Sequence, residues 1–413
     1  MNMIYPSGRN QLARLLPGLV ACASLMATRA SAWTASQLHD LMGPGINYGQ
    51  HFEAKGTMWD IYRPVVSQAT FQNLYNAGFR HVRIPVQWGH RTVWPTSNYG
   101  TVTINNEFMS RVKASVDNAL NAGLIVVINS HHEDWFQNYW TKQNNAIIRR
   151  GDASGSNYYV TTYGNRGLSA LEVYEDIYKD IINNFDEDPR YDNLIFEGLN
   201  EPRLGSNSTI GNFTNAQINT LNNLTFDILQ DNPNGNRGGA SRRIYMMTVN
   251  DANNAQSFKH LTAPTRNGWS AQDVRDRLMI TIHYYYTYAF THVDTDGGWI
   301  DLDWGTTTDK NDLYTRFNLI KSEATNFTAG SGSGLVGVEV NIGEFGVQHY
   351  GSRNKANIID WYNTARWAAK TRDFTTTVWD DHGNFRVYNK DSGNFTHAYP
   401  YDYRNAIDET VTQ

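Results

Sequence analysis

The chain has 413 residues, 40% apolar and 18% charged, a globular balance long enough for two average domains or one large α/β barrel. A formal charge of −5 argues against nucleic acid or an anionic membrane as the main partner. The aromatic share is 13%, with 12 Trp and 24 Tyr, which suits a core or a cleft in which sugar rings stack on flat apolar faces.

In chain order, Arg9 and Arg14 precede an apolar run over 15–27, and Ala30-Ser31-Ala32 has the small-x-small pattern of a cleavage site. Residues 1–32 therefore read as a secretion signal and 33–413 as a single secreted domain. Leu19-Val20-Ala21-Cys22 resembles a lipobox, so a lipid anchor at Cys22 is the alternative. No later stretch is long and apolar enough for a membrane span. Cys22 is the only cysteine, so cleavage after Ala32 would leave no disulfide, zinc–thiolate site or cysteine nucleophile.

β-branched runs then alternate with amphipathic stretches. Strands are expected at 45–48, 81–84, 125–129, 194–197, 244–249, 279–283, 336–342 and 376–379. Helices are expected at 67–77, 107–122, 171–184, 215–230, 271–277, 309–326 and 354–370, with a closing helix near 404–411. Runs such as Leu124-Ile125-Val126-Val127-Ile128 belong to parallel strands covered on both faces. Eight repeats favour a closed (β/α)8 TIM barrel over an open doubly wound sheet.

A barrel places chemistry at the C-terminal ends of its strands. Asn47, Arg83, His131-His132, Asn200-Glu201-Pro202, His283-Tyr284-Tyr285, Glu344 and Trp379-Asp380 all fall there. Glu201 and Glu344 follow the fourth and seventh strands, across the mouth from one another, as the two carboxyls of glycoside hydrolysis require. Arg83 is expected to hold Glu344 charged through a bidentate pair, with Tyr285 donating to the same group and His283 tuning Glu201. Asn200 is placed to bond a sugar 2-hydroxyl. Glu197 and Glu339 lie inside strands and read as hydrogen-bonded structural acids. His131, His132 and His283 as metal ligands are the competing reading, but no His-x-His marks the first strand. The long segment 135–167, with Trp135, Phe136, Tyr139 and Trp140, reads as a cleft wall, as do Trp299 and Trp304.

Gly45-Ile46-Asn47-Tyr48-Gly49, Val82-Arg83-Ile84-Pro85, Asn129-Ser130-His131-His132, Glu197-Gly198-Leu199-Asn200-Glu201-Pro202, His283-Tyr284-Tyr285 and Ile342-Gly343-Glu344-Phe345-Gly346 occur in this order, followed by Trp379. The set resembles glycoside hydrolase family 5 over about residues 43–390. The resemblance implies a cofactor-free, metal-independent retaining barrel acting on β-linked polysaccharide, a cellulase-type endo-β-1,4-glucanase first. Mannanase, xyloglucanase and mixed-linkage glucanase are alternatives within the class, and a non-catalytic carbohydrate-binding barrel is one outside it. It further implies Glu201 as acid/base and Glu344 as nucleophile. Arg83, His131, Asn200, His283 and Tyr285 would surround the reacting sugar, Trp379 would form its platform, and Asn47 and His132 would be second-tier contacts. Gln50-His51, Thr287 and the run Asp380-Asp381-His382-Gly383 depart from the family's common pattern.

Overall fold

The computed structural model describes residues 33–54, 63–93, 101–133, 136, 147–148, 168–185, 188–202, 213–231, 243–292, 303–328, 337–348, 354–390 and 394–395. Eight parallel strands close a barrel in sequential order. They are β1 (Pro44–Asn47), β2 (His81–Ile84), β3 (Ile125–Ser130), β4 (Leu194–Leu199), β5 (Ile244–Met247), β6 (Leu278–Tyr284), β7 (Glu339–Phe345) and β8 (Thr375–Val378). Nearly every strand residue is buried, because the inner face fills the barrel and the outer face meets helices.

The described α-helices of five or more residues are α1 (Ala35–Met42), α2 (Gln68–Asn76), α3 (Asn106–Asn121), α4 (Ala170–Asn184), α5 (Asn215–Asp231), α6 (Ala271–Arg275), α7 (Thr307–Asn326) and α8 (Lys355–Lys370). Side chains cap several of them: Ser67 accepts from the Thr70 amide, Asn105 from Glu107 and Phe108, and Thr306 shares a capping box with Asp309. Among the described residues no helix is long and apolar enough to cross a membrane.

α1 was not expected from the sequence, although Thr34 and Gln37 form a capping box at its start. It seals the N-terminal end of the barrel. Leu38 and Met42 are fully buried in one cluster with Ile125, Val127, Ile195, Ile244, Met246 and Met279, residues from the inner faces of β3, β4, β5 and β6. Above that seal, His81 bridges the Met42 carbonyl and the Thr377 hydroxyl at 2.7 Å each.

β7 begins three residues later than the apolar run suggested. Gly337, at φ 103°, turns the chain first, and Gly343 lies within the strand instead of ending it. Glu344 is therefore a strand residue. Two assignments to the cleft wall are corrected. Phe136 is fully buried against Tyr174 and Phe213, and Trp304, 5% exposed, packs between Phe290 and Trp361 in the helix layer. Residues 1–32, the rest of the 135–167 segment apart from 147–148, Trp299 and the closing helix lie outside the described residues.

Candidate active site

Two β-bulges aim the acids. Between β6 and β7, Ile282 pairs with Ile342 but His283 pairs with Glu344, so Gly343 is the extra residue. A Cβ on Gly343 would lie 2.2 Å from the Thr281 hydroxyl, so only glycine fits. Between β3 and β4, Ile128 pairs with Phe196 and Ser130 with Leu199, which leaves two residues of β4, Glu197 and Gly198, against Asn129 of β3. Gly198 fills that bulge, where a Cβ would meet Thr248 Oγ1 at 2.5 Å. Glu197 then points into the barrel, while Asn200 and Glu201 emerge at its rim.

Arg83, 1% exposed, organises the floor of the site. Its Nε and Nη2 donate to the two Glu197 oxygens at 2.7 Å each. Nη1 donates to Asn47 Oδ1 and Glu344 Oε1 at 2.8 Å, and Nη2 also to Asn200 Oδ1 at 2.6 Å. All five guanidinium hydrogens are thereby used. The bidentate partner is Glu197, not Glu344 as the sequence suggested; Glu344 receives a single charged bond. Burial alone would lower the Arg83 pKa, but Glu197 and Glu344 overcome it and hold the group above its ordinary value.

Glu344 receives Tyr285 Oη–H at 3.1 Å on its second oxygen. Burial keeps the Tyr285 phenol protonated, far above the ordinary phenol range, and the charges of Glu344 and Glu201 add to that. His283 Nδ1 lies 2.9 Å from Glu201 Oε1 and 3.5 Å from Glu344 Oε2. Burial pushes the Glu344 carboxyl above its ordinary range, while the Arg83 charge draws it back and Glu201 and Glu197 repel its charge. Two like acids this close titrate as a pair. Oxygens of Glu201 and Glu344 approach within 4.8 Å, the short spacing at which a second carboxylate can reach an anomeric carbon without an intervening water.

Against this geometry, a family model for cellulase, glycosyl hydrolase family 5, matches residues 46–384. The chain belongs to that family. Endoglucanase H of Acetivibrio thermocellus is 28% identical over 364 residues, 86% of this chain and 32% of that protein. A xyloglucan-specific endo-beta-1,4-glucanase of Bacteroides ovatus is 28% identical over 279 residues, 64% of this chain and 47% of that one. This chain thus spans less than half the length of either relative. A solved structure of a broad-specificity endoglucanase from Clostridium longisporum superposes with TM-score 0.68 at 23% identity, covering 91% of this chain and 98% of that one, and shares the barrel fold.

In this family 5 barrel a cavity of about 500 Å³ opens over the acids. Of the expected substrate contacts, His131, His132, Asn200, His283, Tyr285 and Trp379 line it together with Glu201 and Glu344. Asn47 and Arg83 do not reach it. Asn47 is fully buried beneath, donating to the carbonyls of Gly343, Thr377 and Val378, so both residues support the acids from below. The competing metal set does not assemble. Among the described residues the one cluster of acid and histidine ligand atoms is Glu201, His283 and Glu344.

Tyr288, His292, Phe385 and Arg316 also line the cavity and were not singled out as contacts. The run after Trp379 has a structural explanation. Asp380, fully buried, accepts the amides of His382, Val387 and Tyr388, and buried Lys390 ties its carbonyl to that of Gly49. Asp381 accepts the Phe385 amide. This loop thus fixes both Trp379 and Phe385 at the cavity. Its signal in the sequence was the unexplained Asp380-Asp381 pair, but its partner lies at Lys390.

Proposed function

We propose that the protein is a retaining endo-β-1,4-glucanase of the cellulase type. The observation that carries the reading is the close approach of the Glu201 and Glu344 oxygens, within 4.8 Å across the cavity. In the first step Glu344 attacks the anomeric carbon while Glu201 protonates the departing glycosidic oxygen. In the second step Glu201 takes a proton from water, which displaces Glu344 from the sugar. The donors Arg83 and Tyr285, one on each Glu344 oxygen, favour its ionised form, so the proton of the pair belongs on Glu201. Asn200 has its carbonyl oxygen engaged by Arg83 and offers its amide hydrogens to the sugar 2-hydroxyl. Trp379 is the stacking platform, held parallel to His131 at 5°.

The glucan assignment draws on the names of the relatives, and the Bacteroides ovatus protein makes xyloglucan the second substrate to consider. Hydrolysis of carboxymethyl cellulose, lichenan, xyloglucan and glucomannan, compared with the Glu344→Ala variant, tests the reading. Release of reducing ends from carboxymethyl cellulose or lichenan by the wild type alone supports it; turnover of glucomannan only contradicts it.

Export belongs to the same proposal. It rests on the sequence of residues 1–32 alone, the basic Arg9 and Arg14, the apolar run over 15–27 and Ala30-Ser31-Ala32. N-terminal sequencing of secreted protein should begin at Trp33, and a retained leader would refute cleavage after Ala32.

A further inference from the structure

β5 is followed by an unusual turn. Asp251, Ala252 and Asn253 all adopt left-handed φ, at 58°, 56° and 57°, a conformation that Asp and Asn tolerate but that is uncommon for Ala252. The Ala252 amide donates to the Pro202 carbonyl, tying this turn to the segment that carries Glu201. The turn delivers the Asn253 side chain, fully buried, to the back of His283.

The orientation of that amide is fixed by chemistry. The Val249 backbone N–H can only donate, so the atom 2.7 Å from it is Asn253 Oδ1. The Asn200 carbonyl can only accept, so the atom facing it is Nδ2. The same Nδ2 lies 3.3 Å from His283 Nε2. An NH2 group has no lone pair to offer a ring N–H, so Nε2 must be the acceptor. The ring proton is then on Nδ1, which is the nitrogen 2.9 Å from Glu201 and 3.5 Å from Glu344.

We infer that Asn253 is a positioning residue that holds His283 in its Nδ1–H form, so that the ring donates to Glu201 and takes no proton from it. His283 stands among Glu201, Glu344 and Tyr285, with Arg83 and Glu197 beneath the acids. A second ring proton would point at the Asn253 NH2, donor against donor. The proton that the leaving oxygen requires therefore stays on Glu201. This assignment deepens the glucanase reading and rests on it for its catalytic meaning, but the tautomer itself does not.

The test is nitrogen NMR of the full chain labelled with 15N in its histidine rings, with His283→Gln used to assign the signal. The expected result is a neutral ring protonated at Nδ1 throughout the pH range of turnover. An Nε2–H ring or an imidazolium in that range overturns the proposal, whatever the substrate proves to be. Asn253→Asp supplies an acceptor for Nε2–H in place of a donor. The expected outcome is a doubly protonated His283 and a loss in kcat of about 10²-fold with KM nearly unchanged, the size of a general-acid contribution. A variant ring that remains neutral with its proton on Nδ1 overturns the assignment to Asn253.

Discussion

His81 and His283 both sit inside the same barrel, near opposite ends, each with hydrogen-bonding partners on both ring nitrogens. His81, at the N-terminal end, donates to the Met42 carbonyl and sets its other ring nitrogen against the Thr377 hydroxyl, with α1 packed beneath. Burial lowers its pKa to about 4. His283, at the C-terminal end, contacts Glu201 and Glu344 under an open cavity. The contrast teaches that an inward-facing barrel position does not define a role. Partners do: neutral groups make the lower ring a strut, and carboxylates make the upper ring part of a proton site. The acids repeat the lesson. Glu197 and Glu201 lie four residues apart, yet Glu197 is saturated by Arg83 while Glu201 faces the cavity.

The largest effect should come from the upper end. Glu344→Ala removes the proposed nucleophile, and kcat on carboxymethyl cellulose should fall by at least about 10⁴-fold, read as reducing sugar per unit time. A loss of less than tenfold would mean that another group attacks the sugar. Next comes Arg83→Lys, which keeps the charge but cannot grip Glu197 in two places. Leaving that buried acid badly paired should remove ~3 kcal/mol of stability by denaturant unfolding and about 10²-fold in kcat. Equal stability of variant and wild type would show that the bidentate pair is not what organises the floor.

The lower end should respond to pH through stability and not through turnover. His81 has a folded pKa of about 4, below its unfolded value of 6.5. Its contribution is therefore complete above 6.5 and is lost as pH falls through that window toward 4, worth about 3 kcal/mol at full extent. The melting temperature of His81→Gln should depend less on pH than that of the wild type over this window; an unchanged slope would remove His81 from the account. At the upper end burial raises the Glu344 carboxyl, so kcat/KM should climb with pH through an acid limb above the ordinary carboxylate value of 4.5. A limb at or below that value would contradict the buried pair. The smallest change belongs to Tyr288, which is 66% exposed and stacks on His292 at the cavity edge. Tyr288→Ala should lose about 1 kcal/mol of sugar stacking, roughly fivefold in KM with kcat unchanged.

The sequence made the barrel legible because parallel strands buried on both faces read as continuous apolar runs. Glu201 and Glu344 were legible because polar residues at strand ends are conspicuous after such runs. What stayed hidden was set by contacts between distant segments. Arg83 and Glu197 are separated by 114 positions, so their two-point grip left no local mark and Glu344 was given the wrong share of it. The bulge at Gly343 looked like a strand end because glycine usually stops an extended run. Phe136 and Trp304 looked like cleft aromatics because composition cannot tell a ring in the helix layer from one in a groove. Asn253 carried no motif at all; only the left-handed turn after β5 brings it to His283.

In the proposed mechanism Glu344 bonds to the anomeric carbon from the face opposite the leaving group, and water, helped by Glu201, then displaces it from the face the leaving group vacated. Proton NMR during the first minutes of cello-oligosaccharide cleavage reads this directly from the anomeric signal of the new reducing end. The β-hemiacetal should appear first and then equilibrate with the α form. Initial appearance of the α-hemiacetal would mean a single displacement by water, and the pairing of the two glutamates described here would be wrong.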